Sequence, residues 1–164
     1  MNEIPTFISS NITPCMLLCV SVGIFVFLLL QKPSINKQAQ RAKPIKCSDF
    51  LNQWDTYRKV DKPGCYIISI YKRKPTKHKT KRIKKYSEIY IGQSINVYRR
   101  VFNHFTGHGN GDVYADVKYQ RHVFVKFVPC AIEQLNEYEK YLISKYNATE
   151  SYNRTKGGAK LSKK

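Results

Sequence analysis

Tyr90-Ile91-Gly92-Gln93-Ser94-Ile95-Asn96-Val97-Tyr98-Arg99-Arg100-Val101-Phe102-Asn103-His104 is the stretch around which the rest of the chain is organised. Aromatic and β-branched residues lead into a glycine, and Ser94 or Asn96 can cap a following helix. From there Val97, Tyr98, Val101, Phe102 and Phe105 recur at helical spacing. The expectation is a strand ending at Ile91, a turn at Gly92 and an amphipathic helix over 94–105. Arg100 and His104, four residues apart, then share the edge of its inward face. An Arg beside a His suits a phosphate with planar donors, although a solvated helix face explains the same pair.

Upstream, Cys65–Tyr71 is another β-branched and aromatic run, set off by the breaker Asp61-Lys62-Pro63-Gly64. Between it and the strand Tyr86–Ile91 lies Lys72–Lys85, with nine Lys or Arg. The two strands read as a hairpin with an oversized basic tip. Before them, Ser48 can cap a helix whose Phe50, Leu51, Trp54 and Tyr57 share a face. Downstream, 107–112 reads as a loop, 113–120 as a short helix, Val123–Val128 as a third strand and Ile132–Tyr146 as the last helix. The order αββα(α)βα defines an α+β domain with a three-stranded, mostly antiparallel central sheet flanked by helices.

The chain has 164 residues, with 29 Lys+Arg against 11 Asp+Glu and a formal net charge of +18. That length holds one domain of ordinary size and a tail. Twelve Tyr and eight Phe supply a core, which excludes a disordered basic tail. So positive a chain calls for a polyanion, either nucleic acid or the anionic face of a membrane. Five cysteines without a Cys-x-x-Cys pair give neither a disulfide framework nor a zinc pattern, and they are read as free thiols. His104 and His108 are four apart, but Gly107 ends the helix between them.

No charged residue occurs from Ile4 to Gln31, and Cys15–Leu30 is almost wholly apolar. Residues 12–31 would make about 30 Å of helix, the thickness of a bilayer core. Residues 1–31 are therefore read as an N-terminal tail and a single transmembrane helix. A cleaved signal peptide fits less well, because the segment opens with Glu3 and ends Leu-Leu-Leu-Gln-Lys-Pro. Lys32, Lys37, Arg41, Lys43 and Lys46 follow the span, so the positive-inside rule places the C-terminal domain in the cytoplasm. Residues 32–46 read as a basic linker, 47–61 as a helix leading in, and 62–164 as the main domain.

Spacing marks one more position. On the last helix Leu135, Tyr138, Leu142 and Tyr146 form the buried stripe, and Glu139 falls inside it, while Glu133 and Glu137 fall opposite. A carboxylate facing a core needs a cation or donors to meet it. A structural ion pair with Arg100 and a metal or catalytic role are both open on spacing alone.

Taken in order, Gly64-Cys65-Tyr66, Tyr90-Ile91-Gly92, Arg100, His104, Glu139 and Tyr152-Asn153 resemble a GIY-YIG nuclease domain over about residues 62–157. Each match is weak singly. The order, the eight-residue step from Gly92 to Arg100, the four-residue step to His104, and Glu139 followed by Ile143 carry the resemblance. It implies a small GIY-YIG-like fold and hydrolysis of DNA phosphodiesters with Mg²⁺ or Mn²⁺ and no small-molecule cofactor. In that scheme Tyr90 helps activate water as general base, and Tyr66 positions water or phosphate. Arg100 stabilises charge on the phosphoryl oxygens, Glu139 binds the cation, Asn153 holds the phosphate side, and His104 fills a position the family gives to His or Tyr. The physics is compatible: a phenol is a poor base unaided, phosphoryl transfer leaves charge for an Arg and a cation, and a lone carboxylate with waters suits Mg²⁺.

The sequence departs from the family in three places. Cys65 replaces an apolar Ile, Gln93 stands where some relatives place Lys, and the segment between the strand motifs is longer than usual. Gly92, Gln93, Ser94 and Arg99 are assigned to nucleic-acid binding. So are Lys72, Arg73, Lys74, Lys81, Arg82, Lys84 and Lys85 of the insert, as non-specific backbone contacts from a hairpin tip beside the site. A solvated loop is the plain alternative for the insert.

Together these features describe a membrane-anchored, metal-dependent endonuclease of low sequence specificity, with DNA and a membrane as its partners. Two alternatives belong to other classes: a catalytically inactive nuclease fold that tethers DNA at the membrane, and a basic domain that docks on anionic lipid. The filled key positions argue against the first, and the charge clustered near the proposed site argues against the second.

Overall fold

The computed structural model describes residues 35–75 and 86–157. The expected span at 12–31 and residues 76–85 of the insert lie outside them. Among the described residues no helix is long and apolar enough to cross a membrane.

The described chain runs α1 (Ile35–Arg41), β1 (Ile45–Lys46), α2 (Cys47–Asn52), α3 (Trp54–Tyr57), β2 (Gly64–Tyr71), β3 (Glu88–Ser94), α4 (Val97–Phe105), α5 (Gly111–Lys118), β4 (His122–Pro129) and α6 (Leu135–Lys145). Short 3-10 turns follow α3, precede α6 and close the domain at Ala148–Glu150. The strands form one sheet in the order β1-β4-β2-β3, and every pairing is antiparallel. β2 is central, and all eight of its residues are buried. A strand covered on both faces has no solvent side, so Cys65–Tyr71 reads as a continuous apolar run instead of an alternating one.

Each face of the sheet has its own core. Tyr66, Ile68, Ile70, Val123 and Val125 point to one side, under Phe50 of α2 and Val97, Val101 and Phe105 of α4. Cys65, Ile67, Ile89, Ile91 and Val128 point to the other, against Tyr138, Leu142 and Ile143 of α6. On the first side the aromatic face expected of 47–61 packs on α4. Phe50 meets Phe105 edge-on at 5.8 Å between centroids, and Trp54 stacks on Phe102 at 4.2 Å. Such pairs contribute roughly 0.5–1.5 kcal/mol each beyond the area they bury.

The sheet has four strands, not three. Ile45 and Lys46 pair with Val125 and Phe124 and cover the outer edge of β4. Two residues are too few to show a period in sequence. The stretch expected as a linker, 32–46, therefore carries α1 and β1 in its described part, and Ala39 of α1 is fully buried in the second core. The helix expected over 47–61 is broken at Gln53, and Lys46 stands at its N-cap, with Ser48 already inside.

The central motif differs in its details. β3 continues through Gly92 and Gln93 to Ser94, because Gly92 pairs with Tyr66, Gln93 with Cys65 and Ser94 with Gly64. Gly92 is thus a strand residue and not a turn. A Cβ there would lie 2.3 Å from Tyr66 Oη, so the absent side chain makes room for the tyrosine ring. α4 starts at Val97, and Asn96 makes no side-chain cap. Its exposed amides are met from afar instead. Asp61 Oδ1 accepts from Tyr98 N (2.9 Å), Asp61 Oδ2 accepts from Arg99 N (3.1 Å), and Lys62 O accepts from Val97 N (3.0 Å). The breaker before β2 is also the cap of α4.

Asp61→Ala strips a carboxylate from two first-turn amides and is expected to cost about 1–2 kcal/mol. Urea unfolding of the variant beside the wild type reads this, and equal midpoints would show that Asp61 is not the cap.

Candidate active site

A cavity of about 700 Å³ opens at the Gly64–Ser94 end of the β2–β3 ladder. Tyr66, Tyr90, Gly92, Arg100, Glu139 and Asn153 are among its lining residues. It straddles the sheet's edge, with Tyr66, Tyr90 and Gly92 on the α4 face and Gln93 with Glu139 on the α6 face. Residues that share no local sequence meet there because β3 is an edge strand with a helix on each side.

Tyr66 is almost fully buried, and its Oη lies 2.8 Å from His104 Nε2. His104 is wholly buried, and its Nδ1 accepts a 2.7 Å hydrogen bond from the Asn110 amide. An N–H aimed at Nδ1 leaves that nitrogen unprotonated, so Nε2 carries the proton and donates it to Tyr66 Oη. Gly109 makes this approach possible, since a Cβ on it would stand 2.3 Å from His104 Nδ1. His104 was expected at the rim, as a second cation beside Arg100. It instead sits behind Tyr66 as a neutral ring and does not line the cavity. Burial, with the Arg100 charge adding to it, lowers its pKa from 6.5 to about 4. Burial and the neighbouring Tyr90 push the Tyr66 phenol well above 10, against the opposing pull of Arg100.

Tyr90 is half-buried, 6.2 Å from Tyr66 and 5.0 Å from His104 between ring centroids. Arg100 is exposed on α4 at the cavity wall, and Arg99 beside it is exposed but not among the lining residues. Glu139 is half-buried on α6, beside the buried Tyr138, Leu142 and Ile143, at the border of the apolar stripe and not inside it as spacing placed it. Its Oε2 accepts a 3.0 Å hydrogen bond from Gln93 Nε2, which also donates to Asn136 Oδ1 at 2.6 Å. Ser94 lines the cavity as well.

Asn153 was expected on the phosphate side. Its amide is committed elsewhere: Oδ1 accepts from Ile91 N (2.8 Å) and Nδ2 donates to Ile91 O (2.7 Å). It pairs with β3 as another strand would. Tyr152 N to Ile89 O (3.2 Å) and Ile89 N to Ser151 Oγ (2.9 Å) continue that seam. Sequence reasoning missed Asp61, Asn110, Asn136 and Ser151. Asp61, Asn136 and Ser151 act across the fold and carry no spacing signal, whereas Asn110 meets His104 from six residues away through its backbone amide, which no side-chain pattern marks.

The insert is not beside this cavity where it leaves the hairpin. Lys72, Arg73 and Lys74 are exposed beyond the Ile70–Glu88 pair, six residues along the ladder from Gly64–Ser94, roughly 20 Å at strand rise. Lys81, Arg82, Lys84 and Lys85 lie outside the described residues.

Among the described residues no three His, Cys, Asp or Glu cluster to hold a metal. Glu139 is a single hard oxygen donor at a roomy, polar-lined cavity, and that donor chemistry fits Mg²⁺ or Mn²⁺, which keep most of their waters. The GIY-YIG catalytic domain matches residues 62–153, and the chain belongs to that family. Searches of curated proteins and of solved structures gave no match.

The histidine assignment has a pH signature. A group whose pKa falls on folding holds its proton more tightly in the unfolded chain, so stability rises with pH across the window. The contribution of His104 is complete above pH 6.5 and is lost as pH falls toward 4. The loss amounts to about 3 kcal/mol. The wild type is expected to lose that much more than His104→Gln between pH 7 and 4 in urea unfolding. A difference between the two that does not move with pH would overturn the neutral ring.

Proposed function

We propose that the chain is a membrane-anchored endonuclease that hydrolyses DNA phosphodiesters with low sequence specificity, using Mg²⁺ or Mn²⁺ at Glu139. The observation that carries this reading is the meeting of Tyr66, Tyr90 and Arg100 from one face of the sheet with Glu139 from the other in a single cavity. A divalent cation bound there would neutralise charge on the phosphate and its leaving group.

The chain's own groups divide the remaining work. Tyr66 accepts from His104 and is held protonated by burial, so its hydrogen is left to point toward Tyr90. Tyr90, reachable from the cavity, gives its own hydroxyl proton to solvent and then takes the proton of the attacking water as the water oxygen bonds phosphorus. The bond from phosphorus to the leaving deoxyribose oxygen breaks, and that oxygen takes a proton from solvent. Arg100 meets the non-bridging oxygens with planar donors. These partners suit phosphate more than base edges, which accounts for low specificity.

The anchor rests on the uncharged run from Ile4 to Gln31 and on the lysines that follow it, which put the catalytic domain in the cytoplasm. Pelleting of the full chain with membranes after an alkaline carbonate wash is expected, and release into the supernatant would remove the anchor.

The full chain in detergent is expected to nick plasmid DNA with Mg²⁺ and to stop with chelator. Arg100→Ala should lower the rate by about 100-fold. Glu139→Ala should abolish cleavage while gel shifts show DNA still bound, and wild-type cleavage by that variant would sink the mechanism.

A further inference from the structure

Gln93 is held in an unusual way. Its Nε2 donates to both Glu139 Oε2 and Asn136 Oδ1, at 3.0 and 2.6 Å. Its Oε1 is buried without a hydrogen-bond partner, and it is the one such side-chain atom among the described residues. The orientation of the amide is not arbitrary. A carboxylate only accepts, so nitrogen must face Glu139, and oxygen is forced to the other side. Turning the amide over would set Oε1 against two acceptors, Glu139 Oε2 and Asn136 Oδ1. A buried acceptor without a donor lowers stability, and a native chain that keeps one has a reason outside stability.

We propose that Gln93 is a positioning residue for the metal site: together with Asn136 it clamps the Glu139 carboxylate in the orientation that receives a divalent cation. The inference rests on the metal reading of Glu139 given above. Gln93 reaches Glu139 because β3 continues past Ile91 to Ser94, and Gln93, two residues after Ile91, shares its α6 face. Asn136 sits one helical turn before Glu139 on α6 and fixes the same amide from the other end of that turn. The carboxylate is thereby tied to the sheet as well as to its own helix. An outer partner of this kind costs a cation in affinity when it is removed, because the ligand must then be ordered at the moment of binding. A merely structural glutamine predicts the reverse pattern, in which its loss weakens the fold and touches the cation only through that weakening.

The test measures Mn²⁺ binding to the full chain in detergent by titration calorimetry, and thermal unfolding of the metal-free protein. Gln93→Met keeps the length and removes both the clamp and the orphaned acceptor. It is expected to weaken Mn²⁺ binding about 10-fold or more while the metal-free melting temperature stays level or rises. A smaller loss, or one accompanied by a lower metal-free melting temperature, overturns the inference. If Gln93→Met does not fold, Asn136→Ala decides. It leaves Gln93 and Glu139 in place, and wild-type Mn²⁺ affinity in it overturns the inference, whereas weaker binding with an intact melting temperature supports it. Glu139→Ala separates the two readings. If it binds Mn²⁺ as the wild type does, the metal reading falls and the clamp falls with it. If it loses Mn²⁺ while Gln93→Met retains it, the clamp alone falls.

Discussion

The hydrogen bond between Tyr66 Oη and His104 Nε2, 2.8 Å long and closed to solvent, ties the central strand to α4, and much else in the domain is shaped to keep it. Gly92 has no side chain because the Tyr66 ring lies over it, and Gly109 has none because the chain must bring the Asn110 amide onto His104. α4 must begin where Asp61 can meet its first amides, or the histidine would be carried out of reach. A buried pair of this kind tolerates little error: fully satisfied it fixes a geometry, and half satisfied it costs more than an apolar core. Both ring nitrogens of His104 are engaged, one as acceptor and one as donor.

The other constraint is the open edge of β3. An unpaired edge invites another strand, and here Ser151, Tyr152 and Asn153 run along it, with the Asn153 amide standing in for a backbone. That cover stops at Ile91. Beyond it the strand is met by side chains instead, with Gln93 turned to α6 and Gly92 opposite Tyr66. The cavity lies where the cover ends, so the same edge that has to be protected along most of its length also supplies the site.

This division explains what the sequence made legible. Tyr66, Tyr90, Arg100 and Glu139 line one cavity, as the family resemblance implied, and the face each presents is set by the period of its own strand or helix. What spacing did not carry was the role of groups acting across the fold. His104 lies on the inward flank as its period required, but only the Asn110 amide behind it makes it a neutral donor instead of a rim cation. Asn153 fell in the right place with the wrong partner, since an amide seen in sequence does not tell a phosphate from a strand edge. Gly92 looked like a turn because glycine usually marks one, whereas the Tyr66 ring that excludes a side chain there comes from another strand. β1 is two residues long and presents no alternation to read.

The electrostatics of the site are likewise split by burial. The chain carries +18, a field that draws a polyanion toward it at long range. Close to the cavity, however, the groups with least access to water are kept uncharged: His104 by burial beside a cation, Tyr66 by burial beside another phenol. Positive charge at the wall comes from Arg100 and Arg154, which are exposed, and negative charge comes from Glu139, which is half-buried and held by an amide donor. A phosphate arriving at such a wall meets its counter-charge on an arm still in contact with water. The dry interior behind it offers oriented dipoles, which need no reorganisation as charge develops. Reversing that arrangement, with a charged histidine inside, would oppose the Arg100 charge in a medium that screens it poorly, and the fold forecloses it by aiming a backbone N–H at the nitrogen that would have to take the proton.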